Sequence, residues 1–110
     1  MDAKVKAHIW VAMAIRMSDM AGRPAVVLRR GDADSGGVLC VLLGREGQVV
    51  LAQARDAEGR PAWVRGTGAS PVPAEIADAY VERQHQRDPD VWVLEFEAPD
   101  YLPPFEARII

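Results

Sequence analysis

The sequence contains few of the residue types from which catalytic and metal sites are built. Among its 110 residues there are one cysteine, two histidines, one threonine, three serines and no asparagine. A single cysteine, Cys40, excludes a disulfide framework and any zinc site with several cysteine ligands. His8 and His85 have no cysteine or histidine at ligand spacing, so a zinc site would need distant partners. We therefore expect no resident metal, no cofactor and no catalytic residues.

Lysine is also scarce, because eleven of the thirteen basic residues are arginine. This bias is typical of a GC-rich bacterial genome, so the arginine surplus is weak evidence of phosphate recognition. The formal charge is -3, and the sequence pI is about 5.3. These values argue against non-specific binding to nucleic acid or to an anionic membrane surface.

Long hydrophobic runs are missing as well. The apolar run from Ile9 to Ile15 ends at Arg16, and no small-residue cleavage site follows it. No stretch approaches the roughly 18 apolar residues of a membrane-spanning helix. The expected location is therefore cytoplasmic.

What remains is the composition of one ordinary globular domain. The chain is 49% hydrophobic and 26% charged, and it has no internal repeat. We expect a single domain over residues 1–110, in which 99–110 form a proline-rich apolar C-terminal tail.

A helix is predicted from about Ala7 to Ala21, where apolar residues recur at three-and-four spacing. Its predicted core face consists of Trp10, Met13, Ala14, Met17, Met20 and Ala21. The opposite, solvated side would carry Arg16, Ser18 and Asp19. Gly22, followed by Arg23 and Pro24, is a natural stop.

Hydropathy patterns predict five strands and a second helix. The expected strands are 25–30, 38–43, 49–55, 62–67 and 91–98, and the helix runs from 73 or 74 to 87. The narrow apolar stripe of this helix consists of Ile76, Ala77, Tyr80 and Val81. Residues 38–43 are apolar at every position, which favours a central strand covered on both faces. The order helix-strand-strand-strand-strand-helix-strand predicts an α+β domain with a mainly antiparallel sheet of about five strands and two helices packed on it.

The last predicted strand alternates clearly. Trp92, Leu94 and Phe96 point to one side, which we expect to be buried, and Glu95 and Glu97 point to the other. The two glutamates share a face at a spacing compatible with acid–base cooperation, although a solvated sheet face is the commoner arrangement.

Four strings resemble a known family: HIWVAMAIRM, RRGDADSGGVLCVL, AWVRGTG and RDPDVWVLEFE. They are similar to a small uncharacterised alphaproteobacterial domain-of-unknown-function family, family fourteen-ninety-one, over about Lys6 to Phe96. The resemblance implies one compact domain of bacterial origin. It implies no activity, and no catalytic or cofactor residues.

The glycine- and aspartate-rich loop 31–37 is the first candidate site. Asp32 and Asp34 begin like a calcium loop, but the position of the bidentate glutamate holds Leu43. With Arg29, Arg30 and Arg65 they would form a phosphate or magnesium site if the segments meet at one end of the sheet. The alternative is a connection in which the aspartates stabilise the turn through backbone hydrogen bonds.

The C-terminal tail is the second candidate. Its apolar residues are too many for a free solvated end: Tyr101, Leu102, Phe105, Ile109 and Ile110. Either the tail packs on its own domain, or it adds to a partner as an edge strand, for example in a homodimer.

The leading hypothesis is a non-catalytic protein-binding module that uses its tail or a sheet edge, with a protein partner or a second copy of itself. The alternative is a phosphate-binding or metal-assisted enzyme site around the 29–37 loop and Arg65. Cys40 lies within an apolar strand, where burial makes a thiol inert rather than nucleophilic. Nucleic-acid binding ranks third, because the chain lacks a basic balance.

Overall fold

Two helices and five strands follow one another in the predicted order. A computed structural model describes residues 5–110, and these form a single compact α+β domain. The elements are α1 (Ala7–Met20), β1 (Ala25–Arg29), β2 (Val38–Gly44), β3 (Gly47–Arg55), β4 (Pro61–Arg65), α2 (Ala74–Arg87) and β5 (Trp92–Glu97).

The five strands form one sheet in the order β1-β5-β2-β3-β4. The consecutive strands β2, β3 and β4 pair antiparallel as a meander. After α2 the chain returns to the other side of β2, where β5 lies parallel to β2 and antiparallel to β1. This insertion separates β1 from β2 and leaves β1 at one edge of the sheet.

The sheet is covered on both faces, and β2 is central as predicted. Alternate β2 residues point to opposite sides. Cys40 and Leu42 join the cluster beneath α1, whereas Leu39 and Val41 join the cluster beneath α2. The predicted alternation of β5 is confirmed, because Phe96 packs on the α1 side with Leu94 and Trp92.

The predicted orientation of α1 is wrong for its methionines and for Ala21, which were expected on the core face, and for Ser18, which was expected in solvent and is buried. The face that packs on the sheet consists of Ala7, Val11, Ala14 and Ser18, with Trp10 and Ile15 at its margins. The methionines are exposed: Met13, Met17 and Met20. The helix is apolar on most sides, so periodicity alone does not define its buried face. Small side chains allow close approach to the sheet, and the Ser18 hydroxyl is satisfied by donating to the Arg23 carbonyl at 2.9 Å.

The loop between β1 and β2 caps the N-terminus of α1. The backbone N–H of Ala7 donates to the Asp34 carbonyl at 3.1 Å, and that of His8 donates to the Ala33 carbonyl at 2.9 Å. The His8 ring Nδ1 lies 2.8 Å from the same Ala33 oxygen. These carbonyls satisfy donors that the first turn of a helix leaves without partners.

Most of the predicted stripe of α2 is confirmed. Ala77 is buried, and Tyr80 and Val81 pack beside it against the sheet. Ile76 is exposed, contrary to the prediction, because it lies too far round the helix to reach the sheet. The helix ends at Arg87, directly before the predicted Asp88–Pro89 stop. Neither helix within residues 5–110 is long and apolar enough to cross a membrane.

The C-terminal tail packs on its own domain. Phe105 is buried, with its ring 4.9 Å from Trp10, 5.5 Å from Trp63 and 6.3 Å from Phe96, measured between centroids. Ile109 then forms a parallel bridge with Trp63 on the outer side of β4. The tail therefore completes the core on the α1 side and covers part of the β4 edge.

Candidate functional site

The two edges of the sheet differ in how they are covered. At the β4 edge, the Trp63 N–H donates to the Arg108 carbonyl at 2.8 Å, and the Ile110 N–H donates to the Trp63 carbonyl at 2.9 Å. At the other edge, no segment within residues 5–110 pairs with the outer side of β1. Backbone pairing capacity is therefore left at β1.

Three consecutive apolar side chains of β1 stand in solvent. Val26, Val27 and Leu28 are 51%, 38% and 53% exposed. The pairing with β5 shifts between Val27 and Arg29, so Leu28 is the extra residue of a bulge. An exposed apolar edge strand is a site at which another chain adds.

The register identifies the backbone groups that face outward. The Glu97 N–H donates to the Pro24 carbonyl at 3.0 Å, and the next residue, Ala25, lies opposite Phe96. Because hydrogen-bonded and non-hydrogen-bonded pairs alternate in an antiparallel ladder, Ala25 and Val27 direct their N–H and C=O groups away from β5.

An open cleft of about 780 Å³ borders β1 at the end of the sheet where β2 finishes. We call it the edge cleft. Its lining includes Val26, Leu43, Glu95, Glu97 and Tyr101, together with Pro24 and Pro99 and the hairpin residues Arg45 and Glu46. Its volume lies within the range of small-molecule and side-chain pockets. Val26 belongs to both the exposed edge and the cleft, so the two form one surface.

The charged groups of the edge cleft form no ion pair with any side chain from residue 5 to residue 110. Glu95 is partly buried, whereas Glu46, Glu97 and Arg45 are exposed. None of the four takes part in the side-chain ion pairs formed within residues 5–110. Three carboxylates against one guanidinium give the cleft a negative charge.

Tyr101 closes the cleft on one side through an unusual backbone conformation. Its φ is 55°, in the left-handed region that non-glycine residues rarely adopt. Its hydroxyl accepts from the Glu46 N–H at 2.9 Å and donates to the Gly47 carbonyl at 3.2 Å. A Cβ at Gly44 would collide with the phenol ring, so the glycine allows the ring to lie on the β2–β3 hairpin.

A smaller cavity of about 250 Å³ lies beside α2, and Glu95 borders both cavities. Arg29 lines it, with Nη1 3.0 Å from the His85 ring nitrogens and Nη2 donating to Glu82 Oε2 at 3.4 Å. Arg29 is thus held against α2. Its side chain is turned away from the loop that follows β1.

In the 31–37 loop, Asp32 makes the hydrogen bonds of a turn. Its Oδ2 accepts from the Ser35 N–H at 2.9 Å, the Asp34 N–H at 3.1 Å and the Ser35 hydroxyl at 3.1 Å. These bonds, the one from the Ser35 N–H first, lower the pKa of the Asp32 carboxyl below its ordinary value. The carboxylate therefore stabilises the turn of its own loop.

The other predicted ligand residues do not meet. Asp34 Oδ1 lies 4.0 Å from Lys6 Nζ, and Arg30 lies over the Trp92 ring with Cζ 5.4 Å from the centroid. Arg65 lies on β4, four strand spacings or roughly 19 Å from β1. The structure therefore does not bring Arg65 to Arg29, and of the five residues Arg29 alone lines either of the two cavities described above.

The remaining chemical candidates are structural. Cys40 is fully buried, and burial raises the pKa of its thiol, which keeps it protonated. Thr67 accepts from the Val50 N–H at 3.1 Å, which holds the 66–68 turn on the sheet. Within residues 5–110 no group of three or more His, Cys, Asp or Glu side chains is placed to hold a metal ion.

Of the predicted interaction residues, three face inward and two face outward. Tyr101, Phe105 and Ile109 pack against the core. Leu102 and Ile110 are exposed. The exposed surface at β1 was not predicted, because nothing within the string AVVLR indicates whether the strand has one neighbour or two. The apolar pair Val26 and Leu28 was the available signal, but a central strand would carry it too.

Comparisons with known proteins agree on family and fold. Residues 5–106 match the model of a family described as protein of unknown function (DUF1491). A crystal structure of a DUF1491 family protein from Caulobacter crescentus is 32% identical, with a TM-score of 0.85 over 97% of this chain and 100% of that chain. An NMR structure of a DUF1491 family protein from the same organism is 31% identical, with a TM-score of 0.84 over 99% of each chain.

A solution structure of a protein from A. tumefaciens shares the fold, with 22% identity and a TM-score of 0.73 over 87% of each chain. No curated protein matches the sequence. The relatives therefore give the family and the architecture, and their names state no activity.

Proposed function

The chain belongs to the DUF1491 family of proteins of unknown function, and on this premise we propose that it is a non-catalytic protein-binding module. An extended segment of another protein adds to β1 as a further strand. The observation that carries the proposal is the open edge of β1, where three consecutive residues, Val26, Val27 and Leu28, are exposed.

Strand addition suits this edge because it combines two sources of affinity. The outward N–H and C=O groups of Ala25 and Val27 provide main-chain hydrogen bonds, and alternate side chains of the added strand provide specificity. Natural edge strands are usually protected by charged residues, by bulges or by a covering segment, and on β1 the bulge lies at Leu28, which leaves Ala25–Val27 regular. The nearest charge on β1, Arg29, is instead held by Glu82 on α2.

The length of the free edge limits the partner. Pro24 precedes β1, and the bulge at Leu28 ends the regular ladder. A bulge turns the edge away from a straight strand. The docked segment therefore pairs over residues 25–28, and its remaining contacts come from side chains.

The test is a selection of random linear peptides displayed on phage, using the purified protein as bait. Recovered peptides are titrated against isotopically labelled protein, and the amide shifts are mapped. The largest shifts are expected along Ala25–Arg29. Val27→Pro should abolish binding, because it removes an outward N–H and leaves the β1–β5 ladder intact.

A matched pair of lysine variants serves as the control. Leu28 on β1 and Ile76 on α2 are both 53% exposed. Leu28→Lys should weaken peptide binding, and Ile76→Lys should bind as the wild type does. The proposal is overturned if no peptide is recovered, if the shifts map to the exposed methionines of α1, or if Val27→Pro binds normally. If sedimentation shows a dimer that Val27→Pro dissociates, the docked segment belongs to a second copy of this chain and not to another protein.

A further inference from the structure

We infer that the segment docked on β1 carries an arginine or lysine whose cationic head group is bound in the edge cleft by Glu95 and Glu97. This inference rests on the proposed function, since the docked strand brings the side chain to the cleft. It assigns to the cleft a basic side chain of a protein partner.

The cleft is positioned to receive a side chain from a strand on β1. Val26 lies opposite Glu95 in the β1–β5 register, and both line the edge cleft. A further strand would lie roughly 5 Å beyond β1, and every second side chain would lean over the face that carries Val26 and Glu95. A long side chain on that face reaches across Val26 toward the carboxylates.

The lining fits both parts of a lysine or arginine side chain. Val26, Leu43, Pro24 and Pro99 are apolar and suit the methylene stem. Glu95 and Glu97 follow at the end of that path, on the same face of β5. The Tyr101 hydroxyl already has two hydrogen-bond partners on the β2–β3 hairpin, so its ring is what remains to contact the stem or the cation.

The charge in the cleft requires a cation rather than an anion. Glu95 is partly buried beside apolar side chains and has no ion-pair partner within residues 5–110. A carboxylate that loses water without gaining a partner is unfavourable, and a docked strand would remove more of its water. A cation supplied by the same strand offsets that loss.

A second copy of this chain would not supply the cation. Its β1 would bring Val26, Val27 and Leu28 to the edge, which carry no charge. Its Arg29 is engaged with Glu82 and His85, and its Arg30 lies over Trp92. The charge of the cleft therefore favours a different, basic polypeptide.

The first test probes the cleft directly with n-butylguanidinium chloride, which has an arginine-like head group on a short stem. Titration of labelled protein should give saturable shifts at Val26, Gly44, Glu95 and Glu97. Loss of a charge-assisted hydrogen bond in Glu95→Gln should weaken binding by about tenfold or more. Glu106→Gln, which removes an exposed carboxylate of the tail, should bind as the wild type does. Absence of saturable shifts, equal shifts with neutral n-butanol, or unchanged affinity of Glu95→Gln overturns the inference.

The second test uses the peptides recovered on β1 and separates this inference from the proposed function. We expect these peptides to share a basic residue at one fixed position. The affinity of a peptide should fall when this residue is replaced by glutamine, and also when the Glu95→Gln protein is used in place of the wild type. If peptides map to β1 but have no such position, the inference is wrong and the docking edge stands. If no peptide depends on β1, the proposed function itself fails.

Discussion

The indole Nε1 of Trp92 donates a 2.7 Å hydrogen bond to the backbone carbonyl of Asp32. This contact joins the first residue of β5 to the acidic loop after β1. Gly31 and Gly36 lie against the same indole and the Asp90 carbonyl, where a Cβ would collide. The loop has the glycine and aspartate composition of an ion site. Its glycines are needed instead because the chain passes closely around the buried Trp92.

Replacing Trp92 with phenylalanine tests this role. The variant loses a buried donor and part of its packing, so its free energy of unfolding should fall by about 1–3 kcal/mol in urea denaturation. Trp63→Phe is the comparison, since Trp63 is also buried but its indole N–H makes no hydrogen bond within residues 5–110. Equal losses in the two variants would show that the bond to Asp32 contributes nothing.

The local hydropathy of β2 and β5 was sufficient to predict their burial. Val41 and Leu42 point to opposite faces of β2, and both faces are covered. Leu94 and Glu95 point to opposite faces of β5, one apolar and one charged. In each strand the hydropathy of a few consecutive residues therefore shows which faces are buried. The α+β class follows from the element order for the same reason. The pairing of distant strands could not be predicted in this way, because no local sequence pattern indicates that β5 lies between β1 and β2.

The candidate site depends on that non-local pairing. Val26 and Glu95 become neighbours only when β5 pairs with β1, and Tyr101 reaches the β2–β3 hairpin only after the chain leaves β5. The rotation of α1 was mispredicted on related grounds. Met13 and Val11 are both apolar, and the smaller valine is the one that packs on the sheet.

Asp56 should make stability depend on pH. Its side chain is only 4% exposed, and hydrogen bonds, the one from the Arg60 N–H first, lower the pKa of its carboxyl below the ordinary 3.8. A folded-state pKa below the unfolded value contributes stability that is fully present above pH 3.8 and is lost as pH falls through the folded-state pKa. Urea midpoints measured from neutral pH downward should therefore show that Asp56→Asn is less stable than wild type, by a margin that shrinks below that pH.

The physical reason is that Asp56 joins the β3–β4 turn to the tail. Its Oδ2 accepts from Arg60 Nε at 3.0 Å and forms an ion pair with Arg108, whose Nε lies 3.2 Å away. Glu58→Gln in the same turn is the control, since Glu58 is exposed and has only a 3.6 Å ion pair with Arg60. A constant difference between wild type and Asp56→Asn across the whole pH range would rule out the assigned titration.

Cys40 should not react with thiol reagents in the folded protein. It is fully buried, and burial raises the pKa of the thiol, so neither access nor thiolate is available. Incubation with an aromatic disulfide reagent at pH 8 should give no labelling in native buffer and complete labelling in urea, measured by mass spectrometry. Rapid labelling of the native protein would mean that β2 opens and exposes the thiol.

The tail should contribute to stability through Phe105 far more than through Leu102. Phe105 is 8% exposed and contacts three aromatic rings, whereas Leu102 is 50% exposed. Phe105→Ala should lower the free energy of unfolding by about 3 kcal/mol, as for other large-to-small core changes. Leu102→Ala should change it by no more than about 0.5 kcal/mol. Urea denaturation of both variants, followed by tryptophan fluorescence, measures the contrast, and similar small effects would mean that the tail leaves the core in solution and is free to bind a partner.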